Sequence, residues 1–384
     1  MRNMRECDFL IVGAGIAGAS AGYFLAKKHK VIVLEREEQP GYHTTGRSVA
    51  VYTEAYGPRP VRALVIAGGS FFQQPPAGFT DVPLCHPHGF MFIGRADQRS
   101  VLMAELAAVQ PLSPTIREMS VDEAIRRVPV LRRDYLAGAF FDPNCLSLDV
   151  NAIHQGYLRG LKAAGGEVVT SAEAEYFERH GGKWRVRTPV GAFTAPVVIN
   201  AAGAWADVVA ERIGARKIGL VPKRRTVIAF APPSGTETAS WPVVIDAQEE
   251  FYFKADAGTI LGSPGDETPS PPTDAQPEEI DIAITVERIE RATTMPIRRI
   301  IRKWAGLRSF VADRVPVAGY APDVEGFFWL AGQGGYGIET SAGLARSAVG
   351  LATREGLPDD VRRLGVSEAD LGPERLWTDA AYRR

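Results

Sequence analysis

Residues 8–35 read DFLIVGAGIAGASAGYFLAKKHKVIVLE. Phe9 to Val12 is a short apolar run, the pattern of a parallel strand buried on both faces. Gly13, Gly15 and Gly18 follow in G-x-G-x-x-G spacing, with Ala14, Ile16 and Ala17 between them. A helical segment then runs toward Lys27, and Val31 to Leu34 is a second apolar strand with Glu35 at its end. Strand, glycine turn, helix, strand and acid in this order are the dinucleotide-binding unit. Gly13 permits the tight turn, Gly15 lets backbone approach a pyrophosphate, and Gly18 lets helix and strand pack closely. The helix N-terminus offers amides and partial positive charge to phosphates. Glu35 is placed to accept hydrogen bonds from a ribose. The unit alone does not separate NAD from FAD.

With 384 residues the chain can bury a large core, and two domains are expected. A formal net charge of −1 and 23% charged residues give no support to nucleic-acid or anionic-membrane binding. Cys7, Cys85 and Cys145 are far apart, which argues against a disulfide framework or zinc site and fits a reducing, cytoplasmic compartment. The nucleotide unit begins within about eight residues of the first, too early for a signal peptide. Residues 9–26 are apolar, but their four glycines argue against a transmembrane segment.

Beyond Glu35 and Arg36, Pro40-Gly41 marks a turn. Thr44, Thr45, Gly46, Arg47 and Ser48 then offer hydroxyls, amides and a cation suited to phosphates or flavin oxygens. Helices are expected at 60–73, 97–109, from the Asp149 cap to Lys162, up to Ile213, at 278–291 and at 338–353, and a short one after the Ser120-x-x-Glu123 box. Strands are expected at 89–94, 135–141, 197–200 and 327–331, in hairpins between Gly219 and Ser263, and in a basic segment at 297–311. Gly265 to Pro277, rich in Pro, Asp, Glu and Thr, reads as an exposed loop. Nucleotide-domain signals thus stand at the start, middle and end, with antiparallel-sheet signals between. The expected class is α/β: a Rossmann-type domain of residues 1–85, 148–218 and 305–365, interleaved with an α+β, mainly antiparallel domain of residues 86–147 and 219–304. A polar tail is expected at 366–384.

VGAGIAGAS with Glu35, TTGRS, NAAGAW and AGQGGYGIETSAG fall in an order that resembles the FAD-dependent D-amino-acid oxidase and glycine oxidase superfamily, over essentially the whole chain. Within it, QPGYHTTGRS, VPVLRRD, IHQGYLRG, PKRR, WAGLRSFVAD and QGGYGI look like the bacterial D-arginine dehydrogenase branch. The resemblance implies non-covalent FAD, since the covalent branches use a late Cys and none follows Cys145. It places the pyrophosphate at Gly13 to Gly18, the ribose at Glu35 and Arg36, the adenine near Ala174, and Ala202, Gly203 and Trp205 along the cofactor. Thr44 to Ser48 would approach the isoalloxazine and phosphates. Gly332, Gly334, Gly335, Tyr336, Gly337 and Ile338 would cover the flavin ring. Arg225 and Arg308 match the positions that bind substrate carboxylate, and a guanidinium suits that task through two parallel charge-assisted bonds. Tyr56 and Tyr252 match tyrosines that line the site, with Gly335 and Tyr336 close by. Those four arginine and tyrosine positions carry the implied catalysis, a hydride passing from the α-carbon to the flavin. The six histidines stand in no constellation.

This sequence departs from the branch at the substrate side chain. Where the branch has a glutamate that pairs with the guanidinium, this chain has Phe90; where it has a histidine, this chain has Val51. A guanidinium buried against Phe90 lacks a partner, so apolar or neutral side chains are expected over cationic ones. Glu54 is the acid available to compensate at the pocket mouth. The implied activity is oxidation of a D-amino acid to an imine, hydrolysed to a 2-oxo acid and ammonia, with electrons passed to a quinone or other carrier. The alternatives are a glycine- or sarcosine-type oxidase that forms peroxide, and a flavin-binding subunit of a larger complex.

Overall fold

The structure is a computed structural model and describes residues 4–377. The stretch from Phe9 to Leu34 folds as its pattern dictates: strand Phe9–Val12, helix Ile16–Leu25 and strand Val31–Leu34, with every strand residue buried. These strands sit inside a six-stranded sheet ordered Glu167–Val169, Val31–Leu34, Phe9–Val12, Val197–Asn200, Phe327–Ala331 and Val317–Tyr320. All pairings are parallel except the last. One face packs on the helices Ile16–Leu25, Arg59–Gln73 and Ser341–Ala352 through Leu25, Leu64, Leu344 and Ala348. The other packs on helix Ala206–Ile213 and a four-stranded sheet through Trp184, Val186, Phe193 and Ile213. Both faces are covered, which is why the strands read as continuous apolar runs.

A nine-stranded, mainly antiparallel sheet forms the second layer system. Its longest members, Val221–Phe230 and Ile300–Phe310, pair in an antiparallel ribbon that sets Arg225 opposite Gly306 and Arg308 opposite Lys223. Strand Phe90–Gly94 pairs in parallel with Val243–Asp246. Helix Glu279–Ala292 covers one face through Ile282 and Ile289. The opposite face carries Phe90, Val243, Ile245 and Tyr252, which look into a cavity.

Three expectations need correction. Gly265 to Pro277 is not a free exposed loop: Asp266 accepts from the amide (2.7 Å) and hydroxyl (3.0 Å) of Thr226, and the Arg47 guanidinium donates to the Ala275 carbonyl at 2.8 Å. The late helix starts at Ser341, because Gly334 to Thr340 makes a separate turn in which Tyr336 N bonds Gln333 O at 2.8 Å. The polar tail is folded as far as Trp377, anchored by buried Leu371 and Leu376, while its residues 378–384 lie outside the described ones. No helix among the described residues is long and apolar enough to cross a membrane.

Candidate active site

The glycine turn is held by backbone contacts that leave no room for side chains. A Cβ on Gly13 would lie 2.4 Å from Ala201 O, and one on Gly18 1.9 Å from Gly13 O. Gly13 also has φ +102°, a conformation that favours glycine. Helix Ile16–Leu25 begins at Gly15, which has no side chain to cap it, and has no acid in its first turn, so the first-turn amides beyond Ile16 are open to an anion. Thr45 Oγ1 accepts from the Ile16 amide at 3.0 Å. Glu35, 7% exposed, accepts from the amides of Ala14 (2.9 Å) and Glu37 (3.0 Å). His154 is a brace: its Nε2 lies 2.8 Å from Ala14 O, behind the turn.

Two adjoining cavities, one larger than the other, share Gly15, Thr44, Thr45, Ala201, Gly203 and Ala204 as walls. The smaller holds Gly13, Glu35, Arg36, Ala174, Ala202 and Trp205, with the Arg36 guanidinium 4.7 Å from the Trp205 ring centroid. The larger holds Ile16, Ala17, Arg47, Ser48, Gly334, Gly335, Gly337, Ile338 and the substrate-side residues Tyr56, Phe90, Arg225, Tyr252 and Arg308. Five expected positions line neither cavity: Ala14, Gly18, Gly46, Gly332 and Tyr336. Ala14 serves Glu35 and His154, Gly18 and Gly46 permit close backbone packing, and Gly332 turns the chain with φ +76°. Tyr336 is 2% exposed and packs edge-on behind Tyr56, at 5.2 Å between centroids. The Arg47 guanidinium is engaged by the carbonyls of Ala275 and Ala305 and by Asp274, the Thr44 hydroxyl donates to Leu307 O at 2.8 Å, and the amides of Gly46, Arg47 and Ser48 bond backbone carbonyls, so the Thr45 and Ser48 hydroxyls are the side-chain donors of this segment left for phosphates.

The far end of the larger cavity is cationic. Arg225 is 5% exposed; its Nε donates to Asp266 O at 2.9 Å, and its Nη2 has no hydrogen-bond partner. Glu267 Oε1 lies 3.7 Å from that Nη2, too far for a hydrogen bond. Burial, then the neighbouring Arg308, lowers the Arg225 pKa. The Arg308 guanidinium makes no hydrogen bond among the described residues, and a Cβ on Gly335 would sit 3.0 Å from its Nη1. Two adjacent guanidiniums with unused donors call for an anion, and a carboxylate matches their geometry. Burial works to raise the Glu267 carboxyl, but bonds from Arg314 and Lys223 outweigh it and hold it at about 2.

Three acidic or basic groups here were not legible beforehand. Glu249 accepts from Tyr56 Oη at 2.8 Å and has φ +57°, a strained value for a non-glycine residue. Glu339 is 4% exposed, lines the cavity and accepts from the Thr53 amide at 3.1 Å; burial pushes its pKa well up. Lys254 lines the wall near Phe90. Glu54 does not reach the pocket: it is taken up by Tyr52 Oη at 2.9 Å and by Ser113. No group of His, Cys, Asp and Glu among the described residues could hold a metal.

His88, beside this wall, gives a pH prediction. Burial, then Lys254, lowers its pKa from 6.5 to about 4. The unfolded chain therefore binds a proton that the folded chain refuses, and stability is lost as pH falls from about 6.5 toward 4. The melting temperature of the parent protein should fall more steeply over that window than that of His88→Asn; parallel curves would contradict it.

An uncapped helix N-terminus over a glycine turn, an acid at the second strand's end and a continuous cavity leading to an arginine pair define a dinucleotide-dependent enzyme fold. The residues fit FAD, with the walls of the smaller cavity suited to adenosine and the larger open enough for a flavin beside the arginines. A family model described as FAD dependent oxidoreductase (DAO) matches residues 8–351, and the chain belongs to that family and is FAD-dependent. It is 25% identical over 374 residues to the uncharacterized oxidoreductase YurR of Bacillus subtilis, covering 90% of this chain and 96% of the relative. It is 22% identical to glycine oxidase of the same organism, covering 87% and 89%. Its fold matches the crystal structure of L-proline dehydrogenase from P. horikoshii with a TM-score of 0.85 at 18% identity, over 98% and 99% of the two chains. The chain is thus an FAD-dependent oxidoreductase.

Proposed function

We propose that this chain oxidises a D-amino acid with a non-cationic side chain to its imine, which water hydrolyses to a 2-oxo acid and ammonia. The observation that carries this reading is the Arg225–Arg308 pair, whose unused donors face the same cavity as the glycine turn. Bound FAD supplies the acceptor for the hydride that leaves the α-carbon. Arg225 and Arg308 hold the carboxylate, and Tyr56 and Tyr252 flank it. Glu249 fixes Tyr56 through its hydrogen bond. Glu339 lines the same cavity, and burial raises its pKa well above the usual carboxylate range. No dedicated base is required if the amine binds unprotonated.

The D-series and the passage of electrons to a quinone or other carrier rest on likeness to the D-arginine dehydrogenase branch. Phe90, 4% exposed, and the neighbouring Val51, Val243 and Ile245 make an apolar wall that gives a cationic side chain no partner. Phe90→Glu should raise kcat/KM for D-arginine by at least about tenfold and lower it for D-leucine; an unchanged ratio would show that Phe90 does not face the side chain. A second reading, oxidation of glycine or a secondary amine with release of peroxide, draws on the likeness to glycine oxidase. Peroxide formation under air, measured beside reduction of an artificial quinone with the same substrate, separates the two. Turnover with the quinone and little peroxide supports the dehydrogenase; stoichiometric peroxide supports the oxidase.

A further inference from the structure

The wall beside Phe90 carries one cation that the reading above leaves unused. Lys254 follows Tyr252 by two residues on strand Tyr252–Asp256, so both side chains stand on the cavity face of the sheet. Its side chain is only 5% exposed. One of its three donors reaches Ser147 Oγ at 2.7 Å. The nearest carboxylate, Asp256 Oδ1, lies 3.7 Å away and is 47% exposed, so it neutralises the ammonium poorly. Phe90, Val243 and Ile245 on the same wall offer no acceptor. The acid that lines the cavity, Glu339, is committed to the Thr53 amide, and Glu249 behind Tyr56 to that tyrosine's hydroxyl. His88 adds a second polar group: its Nε2 is buried with no hydrogen-bond partner, and burial together with Lys254 keeps the ring uncharged. A buried ammonium with donors to spare is stabilised by an anion brought in with the ligand.

We infer that Lys254 receives a second anionic group of the substrate, so that the preferred class is amino acids with a carboxylate in the side chain. The α-carboxylate would occupy Arg225 and Arg308, and the distal carboxylate would meet Lys254 across the apolar wall. This rests on the proposed role of the arginine pair and sharpens the exclusion of cationic side chains into a preference for anionic ones.

The test uses the holoenzyme and ligands that cannot be oxidised. Succinate and glutarate are compared with propionate and butyrate by their perturbation of the bound flavin's visible spectrum. At least one dicarboxylate should bind about tenfold or more tightly than the monocarboxylates. Lys254→Met should abolish that advantage and leave the monocarboxylate Kd unchanged. In turnover, kcat/KM for D-glutamate or D-aspartate should exceed that for D-leucine in the parent enzyme and fall below it in the variant. Equal binding of mono- and dicarboxylates by the parent enzyme, a comparison that needs no variant, overturns the inference. So does a variant that weakens both ligand classes alike. Failure of every carboxylate to bind sinks the arginine reading as well, whereas monocarboxylate binding without a dicarboxylate advantage sinks the Lys254 role alone.

Discussion

Arg308→Met is expected to lower kcat/KM for the best amino-acid substrate by on the order of a thousandfold. On the proposed reading the substitution removes one of the two guanidiniums that hold the substrate carboxylate and leaves it half paired. Losing one partner of a buried charge pair costs about 3–5 kcal/mol, and each 1.36 kcal/mol is about tenfold in rate. The Arg308 guanidinium makes no hydrogen bond to the described protein, so its loss should leave the fold and the yellow colour intact. Arg308→Lys should recover only part of the activity, because an ammonium cannot reproduce a planar two-bond contact. Steady-state kinetics with flavin content measured in parallel checks this. A loss of less than about tenfold would mean that Arg308 does not carry the carboxylate.

Gly18→Ala should strip the protein of its cofactor. The added Cβ would stand 1.9 Å from Gly13 O, a backbone atom that is itself fixed by the turn and by Ala201. Helix and strand must separate to admit it, at a cost of about 1–3 kcal/mol or more. The separation displaces the helix N-terminus from the place where it would meet the cofactor's pyrophosphate. The variant should purify colourless, with a lowered melting temperature that excess FAD restores only in part. Full flavin occupancy in Gly18→Ala would contradict the packing argument.

What the sequence made legible was what local patterns encode. Phe9–Val12, Val31–Leu34, Val197–Asn200 and Phe327–Ala331 are apolar runs buried on both sides, and they form the parallel core as expected. Ser120 and Asp149 cap their helices by accepting from Glu123 N and Ala152 N. The turn at Asp256 to Gly258 closes a hairpin between Tyr252–Asp256 and Thr259–Ser263. The site was harder because its charges meet across long sequence separations. Arg225 finds Asp266 some 41 positions away, and Tyr56 finds Glu249 some 193 away. Nothing in a Pro- and Asp-rich stretch announces that its acids are consumed by a neighbouring strand, so Gly265 to Pro277 read as loop. Lys254 read as an ordinary strand residue; only alternation with Tyr252, once that tyrosine faced the cavity, could have placed it. Tyr336 sits in a turn whose glycines could send it to either side, and it lies behind Tyr56.

The most direct test of amino-acid oxidation at this site is anaerobic mixing of the yellow holoenzyme with single D- and L-amino acids, glycine and sarcosine, following loss of flavin absorbance. The account predicts fast bleaching by at least one D-amino acid with a non-cationic side chain, and slow bleaching by D-arginine. Flavin that stays oxidised with every amino acid and amine, or that is reduced fastest by D-arginine, would contradict it.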